Sequence, residues 1–566
     1  MVSRQMLVAI LAGVATLFPC GAGAQSVSES FALFDNFTYE GKDVYYEKHP
    51  LTEADEYYNP ILPGWYSDPS ICRVGEDYFM VTSTFSYYPG IPIFHSKDLL
   101  NWRQIGHVLN RSSQLNLLGQ AVNNGGIYAP AISYNPHNKT FYVVTTDVGK
   151  GNFFVKTTNP YGDWSDPIML PTIHGIDPSF FFDDNGKAYI INNDTSVGTP
   201  EYDGHRTIRI QEFDPVTDKT IGERRVVVDK GACPEDKPIW IEGPHLYKIN
   251  NRYYLMSAEG GTGDGHSEVI FTSRHPFGPF VPASQNPILT QRTLPAERPN
   301  PVTCAGHADL VQTPRGDWYS VFLACRPCDG QFENLGRETF LLPVRWTKDS
   351  IPYLTKGDET IPLISRIPGA KRQSKVTFGN FSFTDDFQNQ KLGVEWMTLR
   401  NSATNLYSLR SHPGSLTLRC TESKTSGKGV PAFIGRRIQH HRFDCMTAMD
   451  FSNMKTQSAA GVLLFKNETR QYFFCVEKMS SACKIALKQI GENGTETVLA
   501  EKFLPGKQTR LNLKVTSDGL TFGFAYMVKS GKWNTLKDGV DAGFLSTRQA
   551  GGFTGTTIGM YAVQYY

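Results

Sequence analysis

The sequence has no strong excess of either charge, and it has no long apolar run after its N-terminal segment. Its 56 Lys and Arg residues nearly balance its 55 Asp and Glu residues, which gives a formal net charge of +1. This balance gives no reason to expect nucleic acid or an anionic membrane as a partner. No later apolar stretch is long enough to span a bilayer. Nothing in the sequence indicates an oligomeric state.

The N-terminal segment has the three parts of a secretory signal peptide. Arg4 supplies a positive charge, residues 6–18 are apolar, and residues 22–24 are small. This pattern predicts cleavage before Gln25 and export to the periplasm or the extracellular space, with residues 1–24 as the signal peptide. A membrane anchor is the alternative, but the apolar run is short for a membrane span.

The sequence also lacks a regular cysteine framework. It contains 10 cysteines, and nine remain once the signal peptide is removed, so an odd number argues against complete disulfide pairing. Cys325 and Cys328 have the CxxC spacing, but no second CxxC and no histidine pair accompanies them, so a zinc site is not expected there. Buried thiols, or one or two bridges, remain open.

Glycine and aromatic residues are abundant, and they favour strands joined by tight turns. The chain contains 51 glycines, 26 tyrosines and 35 phenylalanines, and aromatic side chains are enriched in strands. At 566 residues the chain is too long for a single core. Composition therefore predicts an all-β protein of several domains.

A short motif opens five repeats along the first part of the chain. Its copies are SDPSI (67–71), YAPAI (128–132), IDPSF (176–180), IEGPHL (241–246) and GHADL (306–310). Each copy is followed, about ten residues later, by a strand-like run of aromatic and β-branched residues. Such a period fits the blades of a five-bladed β-propeller. A two-sheet sandwich is the alternative, but the five copies share one internal offset, which favours the propeller.

These patterns divide the chain into a propeller and a second β domain. We predict an extended N-terminal arm at 25–56 and the propeller at 57–350. A linker rich in Pro, Gly, Lys and Asp follows at 351–378. Alternating strands then continue through 379–566, which predicts a β-sandwich.

The residues that open the repeats are expected to meet at the propeller axis, because the first strand of each blade lines the central channel. They are Asp68, Tyr128, Asp177, Glu242 and His307. Glycoside hydrolysis needs two carboxyl groups, one ionised to activate water and one protonated for the leaving oxygen. A third carboxylate would raise the pKa of the acid, and placement on separate blades suits an inverting reaction. An aspartate before proline is also an ordinary turn residue, but recurrence in register favours the catalytic interpretation.

Further residues near the repeat openings could bind a sugar, although each also fits a structural role. Phe85, Tyr128 and Trp240 could stack on the C–H faces of a sugar. Arg337 could contact a carboxylate or hydroxyl groups through two N–H donors. His307 could ligate a metal or bond to the backbone, but calcium prefers oxygen ligands.

Taken together and in this order, the motifs resemble glycoside hydrolase family 43, which comprises β-xylosidases and α-L-arabinofuranosidases. The matching stretches are NPILPGWYSDPSI (59–71), GGIYAPAI (125–132), GIDPSFFFDDNGKAY (175–189), EGPHLYK (242–248), GHADL (306–310) and LGRETFLLPVRW (335–346). The resemblance covers nearly all of the mature chain. It implies a five-bladed propeller followed by a concanavalin-like β-sandwich.

The resemblance also implies roles for individual residues. Asp68 matches the general base and Glu242 the general acid, while Asp177 matches the residue that orients the acid and modulates its pKa. Arg337 matches the arginine that contacts the sugar in the −1 subsite, the subsite of the sugar that is released. Phe85 matches an aromatic residue of that pocket.

Three further residues match less regular features of the family. Tyr128 stands where xylosidase-like members often have tryptophan, which leaves the sugar preference open. His307 matches an axial histidine that lies near a bound calcium in some members. Phe553, in AGGFTGT (550–556), resembles a residue of a sandwich loop that reaches the pocket rim, where it would favour removal of single terminal sugars.

The resemblance implies an exo-acting, inverting hydrolase that releases β-D-xylose from xylo-oligosaccharides of plant cell walls. An α-L-arabinofuranosidase, or an enzyme with both activities, is the alternative. No cofactor is required for this chemistry, and the resemblance leaves room for calcium. Two rivals are less consistent with the sequence. Family 32 fructosidases carry RDP and Glu-Cys motifs that are absent here, and a non-catalytic carbohydrate-binding propeller would not need all three carboxylates and Arg337.

Overall fold

The computed structural model describes residues 29–506, 508–529 and 531–565, and it consists almost entirely of strands. The predicted signal peptide lies outside the described residues. The helices are short: Val44–Lys48 and Thr547–Ala550 are α-helical, and Pro234–Asp236, Glu492–Gly494 and Gly543–Leu545 are 3-10 turns. Within the described ranges, no helix has the length and apolar character needed to cross a membrane.

Five antiparallel sheets form the propeller. Within each sheet, neighbouring strands follow one another in chain order from the first strand outwards, except that the fifth strand of blade 4 pairs with the third. Blade 1 contains Ser70–Val74, Asp77–Val81, Gly90–Ser96 and Arg103–Leu109; blade 2 contains Ile127–Asn135, Thr140–Asp147, Gly151–Thr157 and Ile168–Met169. Blade 3 contains Ile176–Phe182, Ala188–Thr195, Arg206–Asp214 and Lys219–Asp229; blade 4 contains Glu242–Ile249, Arg252–Glu259, Ser267–Ser273, Val281–Pro282 and Leu289–Thr290; blade 5 contains Thr303–Gln312, Trp318–Cys325 and Glu338–Pro343. The first strands contact one another in a closed ring, which confirms the predicted five-bladed architecture.

The middle strands of the blades are apolar on both faces because neighbouring blades cover both faces. Thr140–Asp147, for example, is buried at every position after its first residue. Tyr142 and Phe154 of blade 2 pack against Phe180 and Phe213 of blade 3 in one core cluster. Strands buried on both faces read as nearly continuous runs of aromatic and β-branched residues, which is the pattern that marked the repeats.

Segments that flank the blades close the ring. Leu62, which precedes blade 1, exchanges two backbone hydrogen bonds of 3.2 Å with Thr339 in the last strand of blade 5. Glu56–Tyr58 pairs with Ile364–Arg366 of the predicted linker. A further pair joins Arg345–Trp346 to Pro352–Tyr353. The start and the end of the propeller are therefore tied together.

The second domain consists of two facing antiparallel sheets. One sheet contains Ala432–Arg437, Thr557–Gln564, Ser458–Asn467, Arg470–Lys478, Cys483–Ile490 and Glu496–Phe503. The other contains Phe31–Phe34, Phe37–Gly41, Ser382–Asp385, Tyr407–Ser408, Leu416–Arg419, Arg442–Asp450, Arg510–Asp518, Thr521–Met527 and Asn534–Asp541. A short pair, Tyr87–Tyr88 with Thr398–Leu399, links blade 1 to this domain. The predicted fold class, a propeller followed by a β-sandwich, is confirmed.

The N-terminal segment predicted as an extended arm contributes two strands to the sandwich. Phe31–Phe34 lies between Leu416–Arg419 and Arg442–Asp450, and Phe37–Gly41 also pairs with Arg442–Asp450. Phe34, Phe37 and Tyr39 are fully buried in the sandwich core. Aromatic residues at the start of the chain therefore complete a sheet whose other strands lie near its end.

All nine cysteines in the described residues are free thiols. Cys304, Cys325, Cys445 and Cys475 are buried and the others are half-buried. Of the two possibilities left open above, the structure shows thiols and no bridges within the described ranges. A buried free cysteine behaves as a small apolar side chain, so most of these residues need no further explanation.

Candidate active site

Each blade has a residue with a left-handed backbone in its first strand or, in blade 1, two residues before that strand. These residues are Asp68 (φ 53°), Ala129 (φ 32°), Asp177 (φ 53°), Gly243 (φ 56°) and His307 (φ 53°). Residues other than glycine seldom adopt this conformation, so its recurrence in five blades marks a repeated turn. Tyr128 and Glu242 each lie one position before the turn residue of their own blade. The site therefore combines side chains from two successive repeat positions.

These turns converge at the propeller axis. Asp68, Asp177, Gly243 and His307 line a common cavity of about 10 Å³, which is the size of a single water molecule. Glu242 does not line this cavity, but it precedes Gly243 and interacts electrostatically with both Asp177 and Asp68. The structure therefore places the three predicted carboxylates and the axial histidine close to one another.

Asp68 is held in its ionised form. Ser83 Oγ donates a hydrogen bond of 2.5 Å to Asp68 Oδ2, and Arg337 Nη1 donates one of 3.3 Å to Oδ1. Burial by itself would raise the pKa of Asp68, but the positive charge of Arg337 and the Ser83 hydrogen bond outweigh it and lower the pKa. Asp68 can therefore accept a proton at neutral pH.

Glu242 and Asp177 have the opposite electrostatic environment. Burial raises the pKa of Glu242 well above its usual value, and the charges of Asp177 and Asp68 raise it further. Burial and the charge of Asp68 raise the pKa of Asp177 to about 7 as well, although the Gly243 N–H donates to its Oδ2 at 3.2 Å. Carboxyl groups whose pKa values are pushed apart can act as base and acid in one reaction.

The ring of His307 packs over the backbone of Gly243. A Cβ at Gly243 would lie 2.9 Å from the His307 ring, so this turn requires glycine. His307 Nδ1 is 3.8 Å from Asp68 Oδ1, and burial lowers the pKa of His307 to about 4. The ring is therefore neutral at pH 7, and a neutral imidazole can donate a hydrogen bond or ligate a metal.

Two carboxylates near His307 take part in hydrogen bonds with the surrounding strands. Asp309, in the same strand, accepts from Ser70 Oγ, the Ile71 N–H and the Tyr247 hydroxyl, and Glu268 accepts from the Ala308 N–H. Calcium takes six to eight oxygen ligands, and calcium stays a prediction at this position.

Three aromatic rings form a wall beside the carboxylates. The Phe85 centroid lies 5.4 Å from that of Tyr128 and 5.9 Å from that of Phe553, and Tyr128 and Phe553 are 5.6 Å apart. The Arg337 guanidinium carbon lies 5.1 Å from the Phe553 ring and 5.9 Å from the Phe85 ring. The wall and the arginine thus flank the same space as Asp68.

Phe553 belongs to the sandwich and reaches the propeller on an anchored loop. Its backbone N–H donates a 2.8 Å hydrogen bond to the Asn123 carbonyl, and the Thr556 N–H donates one of 2.8 Å to the Asn334 carbonyl. Lys466, a buried lysine of the sandwich, donates from Nζ to the Thr554 carbonyl within the same loop. Contacts to both domains therefore hold Phe553 in place.

Trp240 lies apart from the aromatic wall and pairs with an arginine. The Arg206 guanidinium carbon is 4.0 Å from the Trp240 ring, and the charge of Arg206 partly opposes the raised pKa of Glu242. Trp240 lies two residues before Glu242, which begins the first strand of blade 4. The pair is therefore associated with Glu242, and the wall with Asp68 and Arg337.

Sequence reasoning missed Ser83, Arg206 and Lys466. Ser83 lies in TSTF (82–85), just before Phe85, and only its contact with Asp68 marks it. Arg206 opens the third strand of blade 3, where an arginine is unremarkable in sequence. Lys466 lies at the end of a sandwich strand far along the chain. None of these positions carries a local sequence signal.

Comparisons with known proteins identify the family of both domains. Residues 57–352 match the family model described as glycosyl hydrolases family 43, and residues 384–565 match that of the beta xylosidase C-terminal concanavalin A-like domain. A Bacteroides ovatus protein named non-reducing end alpha-L-arabinofuranosidase BoGH43B is 36% identical over 514 residues, covering 89% of this chain and 90% of the relative. A Bacillus subtilis beta-xylosidase is 34% identical over 527 residues, covering 89% and 95%.

A solved structure extends the comparison to the whole fold. The crystal structure of a GH43_12 protein from a capybara gut metagenome superposes with a TM-score of 0.88 at 40% identity, covering 94% of this chain and all of the other. Both domains are therefore matched in sequence and in structure. The chain belongs to glycosyl hydrolase family 43 and carries the family's C-terminal concanavalin A-like domain.

Proposed function

We propose that this protein is an exo-acting, inverting glycoside hydrolase that releases terminal β-D-xylose from xylo-oligosaccharides. The observation that carries the proposal is the contrast between the surroundings of two buried carboxyl groups: Asp68 accepts hydrogen bonds from Ser83 and Arg337, whereas Glu242 is exposed to the charges of Asp177 and Asp68. The pKa of Asp68 is lowered and that of Glu242 is raised. A hydrolase of this type needs one ionised and one protonated carboxyl group at the scissile bond.

In the proposed reaction, Asp68 takes a proton from a water molecule as the water oxygen attacks the anomeric carbon. Glu242 gives its proton to the glycosidic oxygen as the carbon–oxygen bond to the leaving sugar breaks. Asp177 does not transfer a proton; in its ionised form it raises the pKa of Glu242 and so favours the protonated acid. Arg337 orients Asp68 and binds the sugar beside it, and His307 supports the base through its contact with Asp68.

The aromatic wall supports exo action. Phe85, Tyr128 and Phe553 enclose one side of the pocket, and Phe553 is delivered by the other domain. A pocket enclosed in this way accommodates a chain end better than the middle of a polysaccharide. Trp240 and Arg206, near Glu242, would stack on the leaving sugar, since Glu242 protonates the leaving oxygen.

An α-L-arabinofuranosidase, alone or with xylosidase activity, is the second candidate. The 36% identical Bacteroides ovatus relative bears that name, and Tyr128 shapes the wall against which the released sugar would lie. Parallel kinetics on p-nitrophenyl β-D-xylopyranoside and α-L-arabinofuranoside decide between the candidates. A higher kcat/KM on the arabinofuranoside would show that arabinofuranose, and not xylose, is the principal sugar that the enzyme releases.

Substituting Glu242→Gln tests the acid role. We expect kcat on unactivated xylo-oligosaccharides to fall by about 10²- to 10⁴-fold, with substrate binding retained. An aryl glycoside with an acidic phenol needs little protonation, so its hydrolysis should fall much less. Equal losses on both substrates would contradict the assignment of Glu242 as the acid.

The stereochemistry of the product tests the position of the water. Proton NMR of the first-formed sugar should show inversion at the anomeric carbon, because a water lies between base and sugar in an inverting site. Net retention would require a covalent intermediate on Asp68 and would overturn the proposed role of that residue.

We also propose that the mature protein is exported, on the basis of the N-terminal sequence pattern. Expression of the full chain with fractionation of the host should place the protein outside the cytoplasm. N-terminal sequencing should then begin at Gln25. A cytoplasmic protein that retains Met1 would contradict this proposal.

A further inference from the structure

A second cluster of chemically reactive groups lies in blade 5, outside the carboxylate site. The Sγ atoms of Cys304 and Cys325 and a carboxylate oxygen of Glu333 all lie within 4.8 Å of one another. Among the described residues, no other group of three or more His, Cys, Asp or Glu side chains meets that condition. Neither the repeat motifs nor the hydrolytic mechanism accounts for this cluster.

The backbone of blade 5 brings the three side chains together. Thr303 pairs with Cys325 across the first two strands, and the register shifts between Thr303 and Gly306. Cys304 lies in this irregular stretch with a φ of 56°, which directs its side chain towards its neighbour Cys325. Glu333 lies on the loop between the second and third strands and reaches back to Cys304, with Oε1 3.6 Å from Sγ.

The spacing fits a tetrahedral zinc ion. Bonds of about 2.3 Å to sulfur and about 2.0–2.2 Å to oxygen hold a sulfur and an oxygen about 3.5 Å apart, and two sulfurs about 3.8 Å apart, around tetrahedral zinc. The distance of 3.6 Å between Cys304 Sγ and Glu333 Oε1 already matches the first of these values. The two sulfurs lie within 4.8 Å of each other, so they must move closer by no more than about 1 Å to reach the second value.

The surrounding charges also suit a divalent cation with thiolate ligands. Two thiolates and one carboxylate carry three negative charges, so a bound dication leaves a net charge of −1. Lys466 is buried and interacts electrostatically with both Glu333 and Cys325, and Arg337 interacts with the same two residues, so cationic side chains lie close enough to offset the remaining negative charge. Buried charges require such compensation.

We propose that Cys304, Cys325 and Glu333 form a zinc-binding site in blade 5, with a fourth position for water. Thiolate ligands select zinc over calcium or magnesium, so the site differs in chemistry from the axial position at His307. Both cysteines are buried, and the half-buried Glu333 leaves a route for the ion from the surface. Bound zinc would fix the loop that leads to Arg337.

Cobalt binding to the full-length protein tests the proposal. The protein is purified with a phosphine reductant, treated with a chelator and titrated with Co²⁺. We expect one equivalent to produce the intense visible bands of tetrahedral cobalt and a near-ultraviolet sulfur-to-cobalt charge-transfer band. One equivalent of Zn²⁺ should remove both, whereas Ca²⁺ in excess should not.

Variants assign the signal to these residues. Cys304→Ser and Cys325→Ser should each lose the charge-transfer band, and Glu333→Gln should weaken Co²⁺ affinity at least about tenfold. Glu333→Gln changes a half-buried side chain, so it remains informative if a cysteine variant fails to fold. Cys445→Ser, at a buried thiol of the sandwich, should leave the spectrum unchanged.

Two results would overturn the proposal. One is the absence of stoichiometric thiolate-bound cobalt in folded, reduced protein. The other is a disulfide between Cys304 and Cys325 in protein isolated without reductant, seen as a peptide pair linked by mass spectrometry. Neither result bears on hydrolysis, which is measured separately on the carboxylate variants.

Discussion

At the scale of single residues, the chemistry of this protein depends on how three similar groups are made different. Asp68, Asp177 and Glu242 are almost equally buried, so burial alone cannot separate their pKa values. What separates them is hydrogen bonding and charge. Asp68 has a hydroxyl donor and a guanidinium, while Glu242 faces two carboxylates. Changes to these neighbours should therefore move one limb of the pH profile at a time.

Asp177→Asn should shift the basic limb of the kcat/KM profile to lower pH. As the proposed acid, Glu242 acts while it is protonated, so activity should be lost as the pH rises through its pKa. Removing the charge of Asp177 lowers that pKa, because the charge of Asp177 raises it, and we expect a loss in kcat as well. Asp184→Asn, at an exposed salt bridge, is the control. A basic limb that does not move would show that Asp177 has no influence on the acid.

Ser83→Ala should shift the acidic limb in the opposite direction. As the proposed base, Asp68 acts while it is ionised, so activity should be lost as the pH falls through its pKa. Deleting the Ser83 hydroxyl removes a donor to Asp68, which raises that pKa because a hydrogen bond to the charged carboxylate favours the ionised form. Ser67→Ala removes a neighbouring buried hydroxyl that has no hydrogen-bond partner in the structure and should leave the limb unmoved.

At the scale of elements, the decisive piece is the sandwich loop that carries Phe553. Lys466 Nζ donates to the Thr554 carbonyl and, at 2.9 Å, to Thr547 Oγ1, so both ends of the loop depend on one side chain. Burial lowers the pKa of Lys466 to about 7, against the attraction of Glu333 and Cys325. Burying Lys466 therefore costs desolvation free energy. This cost indicates that the loop depends on the hydrogen bonds that Lys466 donates.

A double-mutant cycle tests whether Lys466 acts through Phe553. Phe553→Ala should lower kcat/KM by about tenfold, mainly by raising KM. A tenfold change corresponds to about 1.4 kcal/mol, which is about the contribution of one aromatic pair. Lys466→Met, which keeps the length and loses the donor, should have a similar effect without a lower melting temperature. If Lys466 positions the ring, the double variant should be no worse than Phe553→Ala alone. Additive losses would show that the two residues act independently.

At the scale of the whole molecule, the two domains share the chain in an unexpected way. The propeller, the linker and the sandwich follow each other in sequence, yet Phe31–Phe34 and Phe37–Gly41 belong to the sandwich. The propeller is thus enclosed by segments of the second domain. Removing the first strands should damage the domain at the other end of the chain.

A chain that begins at residue 42 should lose the stability of its sandwich. It lacks Phe34, Phe37 and Tyr39, which are fully buried, and truncating one buried aromatic side chain to alanine already costs about 3–5 kcal/mol. The loss of three such side chains is comparable with the whole free energy of unfolding of a typical domain, about 5–15 kcal/mol. Calorimetry should show a strongly lowered transition compared with a chain that begins at Gln25. Identical transitions would contradict this account.

The sequence predicted the parts of the molecule that repeat. Asp68, Asp177 and Glu242 stood out because each opens a repeat, and the structure places Asp68 and Asp177 at the turn position and Glu242 one residue before it. Arg206, Lys466 and the partnership of Cys304 with Cys325 depend on contacts between distant segments, which no local pattern reveals. The CxxC spacing even drew attention to Cys328, whereas the partner that the fold supplies to Cys325 is Cys304.

The entry of the chain into the sandwich has a mechanical consequence. Its first strand, Phe31–Phe34, lies in one sheet of the sandwich, and its last, Thr557–Gln564, lies in the other. A force that pulls the two ends apart must first detach these strands from their sheets, and only then does any blade bear tension. The catalytic ring is therefore shielded from tension on either terminus, and under load the sandwich should open first.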